Sequence, residues 1–338
     1  MYFSTYTKKS KEGIYILEYY RPFKTIKGYT VSVDKIAVDY MMETPAALNA
    51  LGRLLEMLSI RHAVETCQWT TYKIGAFREN FTITFQNKNS FWLGVGLNGV
   101  KTEWNRVRLE FNPNKCASHA SFLAVLSFLN ENTRPMHTAV RRFDLAVDVP
   151  TERENVRIVK DGRVFSERRH GKEWTEYLGA KASHVGRVKL YNKRIEAGLS
   201  YPLTRLEVTL DPATPYEKLA WPKVYYVQRQ QIDIGEMNLT DTERFILSAL
   251  LAGYGTTKDL GRKTREKMDR VMSTYVEYIE ITKQEYALVL ACLREFLDYP
   301  KKDLKISQID GDQPPAPRAT IPTWVQAAEK AGAMENGK

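Results

Sequence analysis

The chain is poor in cysteine and histidine. Its three cysteines, Cys67, Cys116 and Cys292, lie far apart with no C-x-x-C spacing. That excludes a disulfide framework and a zinc knuckle, and leaves buried thiols in a reducing compartment. The five histidines, His62, His119, His137, His170 and His184, form no H-x-H or H-x-x-x-H pair on an expected strand or helix. A two-histidine metal site is therefore not visible, and His184 reads as a loop residue that could still serve as a ligand or an acid/base. The opening MYFSTYTKKSKEG lacks an apolar leader segment, and no apolar run approaches 18 residues. The expectation is a soluble cytoplasmic protein with no membrane partner.

Basic residues are in excess. The 338 residues carry 50 Lys and Arg against 40 Asp and Glu, a formal charge of +10, and a pI near 9.3. Such a balance favours a polyanionic partner, nucleic acid before membrane. Hydrophobic content of 43% and charged content of 27% are ordinary for a soluble protein, and the length suffices for one large domain or two.

Helical spacing marks TPAALNALGRLLEMLSI (44–60), with Thr44 as N-cap and Pro45 at the first helical position, and Ser118 to Asn130, with a Phe122, Leu123, Leu126, Leu129 stripe. The start, through IYILEYYRPF, reads as a strand or an extended arm. Period-two alternation marks strands in TVSVDKIAVDYMM, WTTYKIGAF, NFTITFQ, SFWLGVGL, WNRVRLEFNP, AVRRFDLAVDVP, TEYLGAK, VGRVKLYNK and LTRLEVTL. VRIVKDGRVFSERR reads as a hairpin with Asp161-Gly162 as its turn. This order predicts an α+β fold: a mainly antiparallel sheet with helices on one face, an open polar face opposite, and a helical, basic C-terminal part.

Alternation also says what stands on the open face. Arg108 and Glu110 oppose Val107, Leu109 and Phe111; Arg142, Asp144 and Asp148 oppose Phe143, Leu145 and Val147; Arg205 and Glu207 oppose Leu206, Val208 and Leu210. In VGRVKLYNKRIE (185–196), Tyr191 shares the polar face with Arg187, Lys189 and Lys193. Each acid alone reads as the solvated side of an amphipathic strand. Together, carboxylates converging on one place need a cation, and oxygen-only ligands point to Mg²⁺ or Mn²⁺. Three cations near Tyr191 would favour its phenolate and collect a phosphate backbone. The residues thus admit either a surface strand or a nucleophile facing a phosphodiester.

Four blocks in order, RVRLEFNPNK (106–115), RRFDLAVDVP (141–150), TEYLGAKASHVGRVKLYNKRIE (175–196) and TRLEVTL (204–210), resemble the plasmid rolling-circle replication initiators of the Rep_trans family, the staphylococcal-type Rep proteins. The late basic segment GYGTTKDLGRKTREKMDRVM (253–272) is also similar to theirs. The resemblance implies an origin-specific nickase that cuts one strand at a double-strand origin. It would stay attached to the 5′ phosphate through the tyrosine of the R-x-Y-x-K block, here Tyr191, leave a 3′ hydroxyl, and later rejoin the strand. It further implies Glu110, Asp144, Glu207 and Asp148 as Mg²⁺ or Mn²⁺ ligands, Lys193, Arg187 and Lys189 at the scissile phosphate, and Lys193 as the residue to stabilise the phenolate. Partners implied are the origin DNA, a second copy forming a homodimer, and a host helicase and polymerase. Tyr177 would pack or stack nearby.

The last third fits DNA binding. NLTDTERFILSALLAGY (238–254) has Thr240 and Glu243 as a capping box and Phe245, Ile246, Leu250 and Leu251 as its apolar side. Lys258, Arg262, Lys263, Arg265, Lys267 and Arg270 make the next segment a candidate for entering a groove or tracking phosphates. Glu285 to Leu297 reads as a core helix. The expected division is a catalytic region over 1–235, a helical basic region over 236–307 and a flexible tail over 308–338, whose 321–331 patch could dock on a partner. Two other classes remain open: a non-catalytic DNA-binding regulator, and a hydrolytic metal-dependent endonuclease.

Overall fold

A computed structural model describes residues 22–25, 27–60, 64–71, 76–99, 104–171, 173–180, 185–227 and 238–297. The expected N-terminal arm up to residue 21, His62, His184 and the tail lie outside the described residues. In chain order the elements are β1 (Phe23–Lys24), β2 (Thr30–Met41), α1 (Pro45–Ile60), β3 (Val64–Thr71), β4 (Phe77–Phe85), β5 (Ser90–Leu97), β6 (Arg106–Phe111), α2 (Pro113–Cys116) and α3 (Ala120–Glu131). There follow β7 (Thr138–Val149), β8 (Val156–Ile158), β9 (Phe165–His170), β10 (Glu173–Leu178), β11 (Val188–Asn192), α4 (Lys193–Ala197), β12 (Thr204–Leu210) and β13 (Val224–Val227). The last are α5 (Asp241–Leu251), α6 (Arg262–Tyr275), β14 (Val276–Tyr278) and α7 (Lys283–Leu297). The fold is α+β and mainly antiparallel, as the alternation predicts.

The chain forms two compact units, one from 33–143 and 288 onward, the other from 22–32 and 144–287. The boundary expected between 235 and 236 falls inside the second unit, in a stretch outside the described residues.

In the first unit the strands run β3-β4-β5-β6-β2. Val107, Leu109 and Phe111 of β6 and Val38 and Tyr40 of β2 are at most 2% exposed, and Phe122 of α3 packs its ring against Phe91 and Phe111. Phe296 of α7 meets Phe111 on the same side. Gly94 is needed because a Cβ there would lie 2.6 Å from the Phe77 ring. The opposite face carries paired charge. Asp39 is 4% exposed and accepts from Arg108 Nε (2.6 Å) and Nη2 (3.0 Å) and from Arg141 Nε (2.8 Å). Burial pushes its carboxyl up, but the two guanidinium groups outweigh burial and hold it below the usual range.

In the second unit the strands run β7-β12-β11-β10-β9, and a separate three-stranded sheet runs β14-β13-β8. The hairpin expected across 156–169 does not form. β8 pairs with β13 and β9 with β10. Gly162 has no positive φ, so Asp161-Gly162 does not make the left-handed turn a tight hairpin needs. Asp161 instead accepts from the Arg163 N–H and guanidinium.

Helices α5 and α6 bury Leu247, Leu250, Met268 and Met272 with Tyr225 and Val227 of β13. The Thr240–Glu243 capping box forms at α5. Phe245, expected on the apolar side, is 75% exposed, because the packed stripe is Leu247 and Leu250 and Phe245 projects away from it. Arg153, 1% exposed, donates to Glu176 Oε2 (2.6 Å) and stacks on Trp174 at 4.0 Å.

Because the folded pKa of Asp39 is depressed, its stabilising contribution is complete above the unfolded value of about 3.9 and is lost as pH falls through the folded one. Asp39→Asn is expected to cost about 3 kcal/mol at neutral pH by leaving two guanidinium groups uncompensated. It should also flatten the acid limb of stability, both measured by urea unfolding from pH 7 to pH 2.

Candidate active site around Tyr191

Tyr191 is positioned by a strand that ends one residue later. Val188 and Leu190 bury one face of β11 completely, so period two sends Lys189 and Tyr191 to the other. Asn192 then stops the strand. Its side chain accepts from the Ile195 N–H (3.2 Å) and caps α4, which closes at Gly198 in the left-handed conformation (φ 63). Register places Tyr191 opposite Arg205 and Lys189 opposite Glu207 on β12, and Tyr191 opposite Thr175 on β10.

The tyrosine stands on the polar face yet is only 5% exposed. Lys189 Nζ lies 3.9 Å from its ring centroid, and its hydroxyl donates to Glu207 Oε1 at 2.6 Å. Lys189 also reaches Glu207 Oε2 at 3.5 Å. The ionisation state is the reverse of the one expected from the sequence. Burial raises the Tyr191 pKa well above the usual phenol value, the Glu207 charge and hydrogen bond raise it further, and Arg205 opposes them weakly. At rest the phenol is neutral, with a carboxylate already in place to take its proton.

The other residues named from the sequence are placed as follows. Lys193 is the first residue of α4; its ammonium pairs with Glu196 and sits 5.9 Å from the Tyr191 ring. Asp148 accepts both arms of Arg205, at 2.6 and 2.7 Å. Asp144 accepts from the Thr209 hydroxyl at 2.7 Å. Glu110 lies in the first unit, held by Lys35 (2.5 Å) and Arg142 (3.0 Å); burial raises its pKa, but these two cations outweigh burial and lower it.

Glu207 thus meets Tyr191, while Asp148, Asp144 and Glu110 each have their own partner. Among the described residues no three Asp, Glu, His or Cys side chains gather where one ion could be held. Within the second unit Asp144, Asp148 and Glu207 therefore do not fit a common Mg²⁺ or Mn²⁺ site in this arrangement, because a hydroxyl, a guanidinium and a phenol engage them separately. Sequence alternation places acids on a face but cannot assign their partners. The Asp148–Arg205 and Tyr191–Glu207 pairs depend on register, which no single strand reveals.

The basic segment divides by use. Lys258 lies in the turn before α6. Arg265 donates to the carbonyls of Thr257, Lys258 and Leu260 and so stitches that turn to the helix. Arg262 pairs with Glu266 and Lys267 with Glu243. Lys258, Lys263 and Arg270 are exposed and, among the described residues, in no ion pair.

No known protein family profile and no curated protein matches the chain. Among solved structures it is similar to a rolling circle replication initiator protein from Geobacillus stearothermophilus, at 13% identity and a TM-score of 0.33, over 81% of this chain and 99% of that one. A likeness at that level leaves the function to the residues themselves. No helix among the described residues is long and apolar enough to cross a membrane.

Glu207→Gln is expected to bring the Tyr191 phenol down toward its ordinary pKa, since the carboxylate's charge is one of the groups raising it. The test is the pH dependence of the Tyr191 ζ-carbon resonance in labelled protein, assigned with Tyr191→Phe. On α6, Lys263→Ala and Arg270→Ala should each lower the salt slope of duplex binding by about one. Arg265→Ala should instead lower the melting temperature by freeing three carbonyls.

Proposed function

We propose that the protein is a plasmid rolling-circle replication initiator that binds a double-strand origin and nicks one strand by transesterification through Tyr191. The observation that carries this reading is the buried Tyr191 hydroxyl donating to Glu207 at 2.6 Å with Lys189 over its ring. A nucleophile, a proton acceptor and a cation are together where a phosphodiester could be attacked.

In the step proposed, the phenol proton passes to Glu207 and the Tyr191 oxygen bonds to phosphorus. The bond from phosphorus to the 3′ oxygen breaks, and that oxygen leaves and takes a proton from solvent. A 5′-phosphotyrosyl link and a 3′ hydroxyl result, and the reverse reaction reseals the strand. Lys189 and Arg187 supply positive charge for the developing phosphorane. Lys258, Lys263 and Arg270 offer contacts to duplex phosphates. A second copy would bring a second Tyr191 for termination, and a host helicase and polymerase would extend the 3′ end. The order of sequence blocks that resembles the Rep_trans initiators supports the same reading.

The test is incubation with a supercoiled plasmid carrying a candidate origin, in Mg²⁺, in Mn²⁺ and in chelator, followed by denaturing electrophoresis. Wild type is expected to give nicked circles bearing protein, and Tyr191→Phe neither nicks nor adduct. Glu207→Gln should slow nicking about 10²- to 10⁴-fold, the usual worth of a positioned base. Equal nicking by Tyr191→Phe without adduct would make the protein a hydrolytic endonuclease, and binding without cutting a regulator.

A further inference from the structure

Beside Tyr191, on the same face, stands a second tyrosine that the chemistry above does not use. In the β10 register Thr175 lies opposite Tyr191 and Tyr177 opposite Lys189, so Tyr177 is two residues along and one strand over from Tyr191. From strand rise and spacing this is about 8 Å. Tyr177 is also two residues from Thr175, which pairs with Arg168 on β9. All of these side chains share the Tyr191 face.

Two guanidinium groups flank the Tyr177 ring. Arg187 Cζ lies 5.4 Å from its centroid and Arg168 Cζ 6.0 Å. Both are near the outer limit of cation–π reach, and the ring stays half-buried. Among the described residues no carboxylate is ion-paired with either arginine. That contrasts with Arg205 and Arg153 of the same unit, each locked on an acid. Arg168 also differs from its neighbour Arg169, which points to the other face, stacks on Trp174 at 4.4 Å and approaches Glu167. β9 is the edge of its sheet and is exposed over nearly its whole length, so a chain could enter over it and cross β10, past Tyr177, to reach Tyr191 on β11.

We infer that Tyr177, Arg168 and Arg187 form a binding subsite for single-stranded DNA, in which one unstacked base lies on the Tyr177 ring and the arginines take the phosphates on either side. The inference rests on the reading of Tyr191 as the nucleophile, because the subsite would hold a nucleotide within one or two positions of the scissile phosphate. Aromatic stacking suits a strand of any sequence, since every base has a π face and two flanking cations track the backbone whatever the bases are. Holding the strand unstacked beside the nucleophile would make Tyr177 a positioning residue.

The experiment measures binding of a fluorescein-labelled dT12 strand and of a 12-base-pair duplex by anisotropy in the Tyr191→Phe background, where no covalent link forms. Tyr177→Ala is expected to weaken dT12 binding about tenfold or more, Tyr177→Phe to bind like tyrosine, and duplex binding to change little. Arg168→Gln and Arg187→Gln should each reduce the salt slope for dT12 by a little under one. If Tyr177→Ala folds poorly, an abasic scan of dT12 on the tyrosine-bearing protein takes its place, with the loss expected on base removal. The inference is overturned if a folded Tyr177→Ala binds dT12 as tightly as the parent, or if base removal has no effect anywhere in the strand. The two failures are separable. An adduct at Tyr191 with no Tyr177 effect sinks the subsite alone, and a Tyr177 effect without any adduct keeps the strand site and sinks the nicking reaction.

Discussion

Each central strand of this protein has to bury one side, and period two then forces its remaining residues onto the other. Val188 and Leu190 on β11, and Leu206, Val208 and Leu210 on β12, are at most 1% exposed. What they displace to the opposite side is an unusual concentration of charge: lysine, arginine, glutamate and a tyrosine on two neighbouring strands. Hydrophobic burial fixes where these groups are, and electrostatics decides only which of them pair.

Pairing is the second constraint. A carboxylate that is shielded from water must find cations or hydrogen-bond donors, and the basic surplus supplies them. Asp39 takes Arg108 and Arg141, Asp148 takes both arms of Arg205, and Arg153 is held by Glu176. Glu207 combines the two, with Lys189 at 3.5 Å and a short hydrogen bond from a neutral phenol. Burial and the neighbouring carboxylate both hold the proton on this phenol.

Much of this is legible in the sequence. Thr44 and Pro45 open α1 as their residue types require, and Thr240 and Glu243 cap α5 reciprocally. The alternation in RRFDLAVDV and TRLEVTL sorts inward from outward residues correctly. Three features are not legible, for separate reasons. β8 leaves the expected hairpin for a second sheet, since strand partners at long separation leave no local trace. The acids read as one cluster because alternation gives a face and says nothing of lateral spacing. Arg168 carries no signal of its own, because a run of charges on an edge strand looks like ordinary protection against aggregation; only the β9–β10 register brings it to Tyr177.

Asn192 ends β11 and begins α4 in a single residue, and Gly198 closes that helix within two turns. The nucleophile candidate therefore sits at a splice between two backbone geometries. Its side-chain direction is set by the strand behind it, and Asn192 then hands the chain to the helix ahead. Lengthening β11 by one residue would turn the phenol to the apolar side, whereas lengthening α4 would leave it untouched. Tolerance to insertions should thus be sharply asymmetric across this one position, since only those before Asn192 redirect the tyrosine.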